Sequence, residues 1–371
     1  MNFWGVSRVP TYVDPRSHTF DDMIGSDPGP GLVAATVEFP PHRHSQDEVV
    51  SALTTFAGEE FTRFARNSGV DARNLALPLA RYGQLSGFTE ANDVFVDVAV
   101  ALAEQALENA LSKARIRPDE VDVIFSTTVT GLAVPTIDAR LAARVGLRAD
   151  VKRVPLFGLG CVAGAAGVAR MHDYLRAFPD QIAVLVAVEL CSLTIQRDDH
   201  SMANLVASSL FGDGAAAVVA AGAQRGAPGP QVLATRSRLY PDSESVMGWE
   251  IGTSGFKIVL SAGIPDIAEK YLGEDVNLFL AEFGLTPSDI DTWVCHPGGP
   301  KVIEAVQDVL ELPATALDRT RESLREHGNL SSVSVLDVLR ANLADPPPPG
   351  SLGMMVAMGP GFCSELVLLR W

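Results

Sequence analysis

Three residues of this sequence have the types and settings for acyl transfer without water: Cys161, His296 and Asn329. Cys161 lies in Phe157-Gly158-Leu159-Gly160-Cys161-Val162-Ala163-Gly164-Ala165-Ala166-Gly167. A strand predicted over 151–156 runs into the Gly-Leu-Gly turn, and a helix of small residues opens at the cysteine. Such a helix can be packed closely on every side. Unpaired N–H groups and the helix dipole at its start stabilise an anion. The thiol is therefore expected to ionise readily, and the thiolate is the nucleophile. His296 ends an apolar strand predicted over 292–295 and precedes Pro297-Gly298-Gly299-Pro300, a turn that continues neither helix nor strand. Asn329 stands in Gly328-Asn329-Leu330-Ser331-Ser332-Val333, which opens a helix as Gly160-Cys161 does.

Taken singly, Cys161 reads as a buried structural cysteine about as well as a nucleophile, and His296 as a satisfied histidine. Taken together with Asn329 they define a chemistry. The thiolate accepts an acyl group from a thioester, with His296 as its ion-pair partner. A β-carboxy thioester such as malonyl-CoA then loses carbon dioxide. The resulting enolate oxygen needs two donors, which His296 Nε2–H and the Asn329 amide can supply. Decarboxylation makes the carbanion, so no carboxylate is needed to abstract a proton. An apolar surround favours loss of the carboxylate, and Phe211 is a candidate for it, with plain core as its other reading.

What brings these residues together is an internal repeat. Pro118-Asp119-Glu120-Val121-Asp122 precedes a strand predicted over 121–127, and Pro287-Ser288-Asp289-Ile290-Asp291 precedes the one over 292–295; their prolines stand 169 residues apart. Cys161 and Asn329 stand 168 apart, and each helix start leads on to an apolar strand, predicted over 182–190 and 352–358. Two matches at one spacing argue for a duplicated βαβ-type unit with parallel strands covered by helices. The two helix starts would then face one central site. Residues 1–31 read as an irregular arm, 32–221 as the first half and 231–371 as the second, joined by a linker over 222–230. Further helices are expected over 45–65, capped by Ser45, over 92–113 and over 264–283.

The chain has 371 residues, 47% hydrophobic and 20% charged, enough for a large core. Its formal net charge of −16, with no basic stripe, speaks against nucleic-acid binding. The start, Met1-Asn2-Phe3-Trp4, lacks the marks of a secretory signal, and the apolar runs are too short to span a bilayer, so a cytoplasmic protein is expected. The four cysteines, Cys161, Cys191, Cys295 and Cys363, form no CxxC pair and suit neither zinc nor a disulfide framework. His42-Arg43-His44 reads as a solvated loop rather than a metal site, and no metal is expected.

With these residues in place, the sequence resembles the type III polyketide synthases, the chalcone synthase-like branch of the thiolase superfamily. The resemblance runs from about residue 32 to the C-terminus. It rests on the Cys161 segment, Leu210-Phe211-Gly212-Asp213-Gly214, His296-Pro297-Gly298-Gly299-Pro300, Gly328-Asn329-Leu330-Ser331-Ser332-Val333-Ser334 and Gly359-Pro360-Gly361. It implies an α/β fold of five layers, αβαβα, built from two similar halves, and a homodimer. It implies an enzyme that loads an acyl starter, extends it with malonyl-CoA and cyclises the chain, with no cofactor beyond its CoA thioester substrates. The starter carrier is CoA or an acyl carrier protein. The family's triad falls on Cys161, His296 and Asn329, its gatekeeper phenylalanines on Phe211 and Phe256, and one CoA-binding cation on Arg63. Asn67 departs from the lysine common at a second cation position. The cavity scaffold falls on Gly359, Pro360 and Gly361, a wall position on Cys191, and the residue that reaches into the partner's cavity on Val134. Cys191 resembles bacterial members that make alkylresorcinols, alkylpyrones or tetrahydroxynaphthalene, some with an acyl tunnel.

The alternatives are a ketoacyl synthase III, which makes one condensation with a carrier protein, and a non-catalytic lipid-binding protein on the same fold. Pro297 stands where the former usually has glutamine, and an intact triad argues against the latter. A hydroxymethylglutaryl-CoA-forming enzyme needs a catalytic glutamate before the cysteine region, with no convincing match. The starter, the number of extensions and the mode of ring closure stay open.

Overall fold

The computed structural model describes residues 28–57, 59–226 and 228–371. Most of the arm expected over 1–31 lies outside the described residues. The strands in chain order are β1 Gly31–Glu38, β2 His42–Ser45, β3 Ala72–Leu75, β4 Val123–Thr127, β5 Lys152–Leu156, β6 Ile182–Leu190, β7 Asp213–Ala221, β8 Gln231–Leu239, β9 Met247–Gly252, β10 Gly255–Leu260, β11 Thr292–Cys295, β12 Leu352–Gly359 and β13 Cys363–Arg370. Nine of them form one sheet in the order β11-β12-β13-β8-β1-β7-β6-β4-β5. A single pair, Gly31 with Gln231, joins β1 to β8 at its middle.

Outward from that seam the two arms of the sheet repeat each other. β4 runs parallel to β6 as β11 does to β12, and β6 pairs antiparallel with β7 as β12 does with β13. The 3₁₀ turns Pro118–Glu120 and Pro287–Asp289 start 169 residues apart. The strands β4 and β11, and the helices Ala163–Ala177 and Ser332–Ala344, keep that same spacing. β5 has no counterpart in the second arm.

The layers follow from the side-chain alternation of the central strands. In β6, Val184, Val186 and Val188 face the long helix Phe88–Ala114, while Ala183, Leu185 and Ala187 face the Ala163–Ala177 helix. In β12, Met354, Val356 and Met358 face the helices Ile264–Ala281 and Pro300–Val309, while Met355 and Ala357 face the inner pair of helices. That is the five-layer αβαβα order. Strands buried on both faces read as unbroken apolar runs, as β6 does.

Two local expectations change. The helix over 45–65 is two helices, Gln46–Ala57 and Glu59–Arg66. Ser45 and Glu48 cap the first reciprocally, Ser45 N to Glu48 Oε2 at 2.8 Å and Glu48 N to Ser45 Oγ at 3.3 Å. His42-Arg43-His44 belongs to β2, which pairs with β3, and is not a loop.

The inner helices touch at Gly164, where a Cβ would sit 2.3 Å from the Ser332 carbonyl oxygen and 2.6 Å from Val335. Gly164→Val is therefore expected to lower stability by about 1–3 kcal/mol through overpacking, seen as a lower urea midpoint. Gly83→Ala, whose Cβ meets nothing within 4 Å, is the neutral comparison. Equal midpoints for the two variants would refute the close contact.

Candidate active site

Cys161 sits on the 3₁₀ turn Gly160–Val162, between β5 and the Ala163–Ala177 helix, and is 5% exposed. The loop after β12 holds that turn in place. Gly160 has φ +54°, and a Cβ there would lie 2.8 Å from Pro360. Gly359 packs so closely that its Cβ would lie 2.7 Å from Val162 N and 2.8 Å from Leu159 O. Of the Gly359-Pro360-Gly361 scaffold, Pro360 alone lines the cavity; Gly359 and Gly361 act from behind, the latter against Leu239. This corrects their expected place in the cavity wall.

His296 follows β11, where its N–H donates to Val356 O at 2.9 Å. Its imidazole is buried, and neither ring nitrogen has a partner among the described residues. Asn329 is fixed from both sides of its backbone: its N–H donates to Leu210 O at 2.9 Å, and its carbonyl accepts from Gly212 N at 3.0 Å. That bridge places Phe211 beside it. Asn329 Oδ1 accepts from Ser331 N at 2.8 Å, and Nδ2 makes only a long bond to Gly298 O at 3.4 Å. The amide's oxygen is thus occupied and its donors are largely free. Ser331, with φ 51°, turns the chain so that its Oγ lies 3.8 Å from Cys161 Sγ.

Cys161, His296, Asn329 and Phe211 line one cavity of about 430 Å³, with Arg63 and Asn67 at its exposed side. Past Cys161 and Phe211 lies an inner chamber of about 50 Å³, walled by Cys191, Trp249, Ile258 and Leu260. A third space of about 550 Å³ meets that chamber at Thr130, Ser192 and Ile195 and is lined by Asn92, Gln196, Arg197, Asp199 and Lys257. Phe256 belongs to this third space, not to the Cys161 cavity. It is buried edge-on between Phe88, at 5.5 Å, and Trp249, at 5.8 Å, so it is Trp249 and not Phe256 that reaches the chamber, across from Phe211. Val134 does not enter its own chain's cavity; it is 94% exposed.

The expected easy ionisation of Cys161 is not met in isolation. Burial pushes the thiol up to about 12 and the His296 imidazole down to about 3. The Ser331 hydroxyl and the Asn329 amide act the other way on the thiol, more weakly. Moving the proton from Cys161 to His296 would place opposite charges in one cavity, and their attraction offsets part of that desolvation.

Sequence reasoning passed over Glu189. It is fully buried and accepts from Ser332 Oγ at 2.6 Å, Thr130 Oγ1 at 3.0 Å and Val129 N at 3.1 Å. A carboxylate at the end of an otherwise apolar strand was the signal that could have found it. Arg73 was passed over likewise. It is 1% exposed, and its Nη1 donates to Ser208 O at 2.8 Å and Phe211 O at 2.7 Å.

Comparison with known proteins gives this architecture relatives. The family model for the N-terminal domain of chalcone and stilbene synthases matches residues 78–224, and the model for their C-terminal domain matches residues 231–371. A 1,3,6,8-tetrahydroxynaphthalene synthase of Streptomyces peucetius subsp. caesius is 53% identical, covering 98% of this chain and 100% of that protein. A putative chalcone synthase of Bacillus subtilis is 34% identical, covering 89% and 91%. Among solved structures, the 1,3,6,8-tetrahydroxynaphthalene synthase of Streptomyces coelicolor A3(2), a bacterial type III polyketide synthase, superposes with TM-score 0.88 at 29% identity, over 92% of this chain and 99% of that one.

Burial raises the Glu189 carboxyl from its ordinary 4.5 to about 7. The folded protein then holds this proton more tightly than the unfolded chain, so stability falls as pH rises from the ordinary carboxyl range through about 7. Glu189→Gln removes that slope. The variant is expected to gain in thermal midpoint relative to the unaltered protein between about pH 5 and about pH 8. A midpoint difference that stays constant over this range would contradict the ionisation of a buried carboxyl.

Proposed function

This chain belongs to the chalcone and stilbene synthase family and is a type III polyketide synthase, a decarboxylative condensing acyltransferase; we propose that it makes a tetrahydroxynaphthalene-type aromatic polyketide from malonyl-CoA. The observation that carries this is the polar lining beyond Cys161, where Thr194, Asn204 and Ser331 stand in the wall of the inner chamber. The third space beyond it offers Arg197, Asp199 and Lys257, a poor lining for hydrocarbon. The 53% identity to a tetrahydroxynaphthalene synthase supports the same product class. Alkylresorcinols and alkylpyrones, expected above as equal candidates, are correspondingly disfavoured. So is the single-condensation alternative, since the relatives are polyketide synthases.

In this reading Cys161, His296 and Asn329 carry the reaction. Cys161 passes its proton to His296, and Sγ attacks the thioester carbonyl. The bond from that carbon to the CoA sulfur breaks, and CoA leaves with the proton held at His296. A further malonyl thioester loses carbon dioxide, and the electron pair of the broken C–C bond becomes an enolate. Asn329 Nδ2 and His296 N–H donate to its oxygen, and both are free to do so. The enolate carbon attacks the acyl group on Cys161, and Sγ departs as thiolate. Burial of all three groups keeps water from the thioester and from the carbanion.

A malonyl-derived chain carries a carbonyl on alternate carbons, and the inner chamber meets it with Thr194, Asn204 and Ser331. Cys191 forms part of the same wall. The cavity's rim cation Arg63 is assigned to the CoA phosphates, and Val134 to a partner chain's cavity in a homodimer.

The test is mass spectrometry of products from malonyl-CoA alone. A tetrahydroxynaphthalene or its oxidation product is expected, and none from Cys161→Ala; product from the alanine variant would refute the assignment of the nucleophile. Trp249→Ala should widen the inner chamber, so that acyl-CoA starters too long for the unaltered protein are extended. An unchanged starter range would show that Trp249 does not set the limit.

A further inference from the structure

Among the described residues, the strands β9 and β10 pair only with each other and stand apart from the nine-stranded sheet. A hairpin of two strands is marginal by itself, so side chains from elsewhere must hold it. Its placement matters to the site. Met247, Gly248, Trp249, Ile258 and Leu260 of this hairpin wall the inner chamber, and Trp249 is the ladder partner of Ile258. The tip packs on the start of the long helix Phe88–Ala114: Gly255 has φ +101°, and a Cβ there would lie 2.9 Å from Phe88.

One side chain joins this hairpin to the facing wall. Gln196 is half-buried and follows the 3₁₀ turn Cys191–Thr194, which gives Cys191 and Thr194 to the chamber. Its Nε2 donates to Ser254 O and Phe256 O of the hairpin and to Thr194 O of its own segment, each at 3.2 Å. Three carbonyl oxygens at one end of an amide can be met only by its NH2 group, so the orientation is fixed. Gln196 is itself held by the chamber wall. Asn204 Nδ2 donates to Gln196 O at 2.8 Å and to Asp199 O at 2.7 Å, and Asn204 Oδ1 accepts from Gln196 N at 3.4 Å. Asn204 lines the chamber too. Three segments that wall one chamber thus meet at one residue. That residue also lines the third space, next to Ile195, which borders both.

We infer that Gln196 is a positioning residue that fixes the width of the inner chamber, by tying the Trp249 hairpin to the Cys191 segment. This role rests on the reading above that the chamber holds the growing polyketide. Gln196 touches no reacting atom. Its hydrogen bonds keep Trp249 and Ile258 at a set distance from Cys191 and Thr194, and so keep the chain folded toward one ring closure. Without them the wall moves toward the third space, and chains of other lengths close on their own oxygen as lactones. Lys257, on the same hairpin, lies 3.9 Å from Asp199 with its side chain about half exposed, and such an ion pair contributes little.

The experiment compares Gln196→Leu, which removes the donors at similar volume, with Gln196→Asn, whose amide falls short by one carbon, and with Lys257→Gln. Hydrogen exchange read by mass spectrometry on the full chain should show the amides of 247–260 exchanging about three- to tenfold faster in Gln196→Leu, the scale of one net hydrogen bond. The nine-stranded sheet should exchange as before. Gln196→Asn should show a smaller change of the same kind, and Lys257→Gln none. From malonyl-CoA, Gln196→Leu should give at least about threefold less of the unaltered protein's main product and more lactones of other chain lengths, with carbon dioxide release within about twofold. A general loss of structure would lower product and carbon dioxide release together. Hairpin exchange in Gln196→Leu equal to that of the unaltered protein overturns the role, as does an unchanged product profile or an equal fall in both rates. Failure of the unaltered protein to make a tetrahydroxynaphthalene would instead overturn the product reading, and hairpin exchange, measured without substrate, still decides the role of Gln196.

Discussion

Two helices that start 169 residues apart must approach within a glycine's width, and the site exists because they do. Gly164 faces the carbonyl of Ser332 in the middle layer of the fold. That contact sets the first turn of one helix, with Cys161, against the first turn of the other, with Asn329 and Ser331. A larger residue would push the two starts apart, and neither segment holds the cavity by itself. The scaffold loop reinforces the constraint from a third side, because Pro360 closes on Gly160 and Gly359 on the backbone of Val162. The nucleophile is thus clamped by backbone on faces where it does not meet substrate.

Buried polar residues do the rest of the positioning, and each ties down a segment that carries a site residue. Glu189 binds the end of β6 to Val129, Thr130 and Ser332. Asp213 accepts from Ala76 N at 2.6 Å and Ser192 N at 2.8 Å, fixing the turn that presents Cys191. Arg73 holds the last carbonyls of the Met202–Leu210 helix, from which Phe211 projects. Such groups are costly to bury, and their bonds are what offsets that cost. The same burial pushes the Cys161 thiol up and the His296 imidazole down, so charge in the site is best made as a pair.

The cavity changes character along its length, and the change matches the stages of the proposed reaction. Its rim carries cations, its floor the triad, and its inner chamber a tight wall with a few hydroxyl and amide groups. A chain grown from polar two-carbon units fits that order. Beyond Trp249 the lining turns to the charged residues Arg197, Asp199 and Lys257.

The sequence by itself brought Cys161, His296 and Asn329 forward as the candidate triad and showed the repeated halves, while the layer order was implied by the family resemblance. The first two depend on local signals: a Gly-rich turn before a helix of small residues, a histidine at the end of an apolar strand, and a spacing repeated through the chain. Backbone turns and helix starts are set by nearby residues, so a repeat read along the chain carried the site into three dimensions. Only the tertiary structure decided which aromatic ring faces the chamber, because Phe256 and Trp249 lie on paired strands and their packing sets which is in front. It likewise decided that Gly359 and Gly361 stand behind the wall, and that Glu189 and Arg73 tie core segments to the site. Side-chain reach between elements distant in sequence, and the volume left between them, follow from packing. No spacing along the chain encodes either.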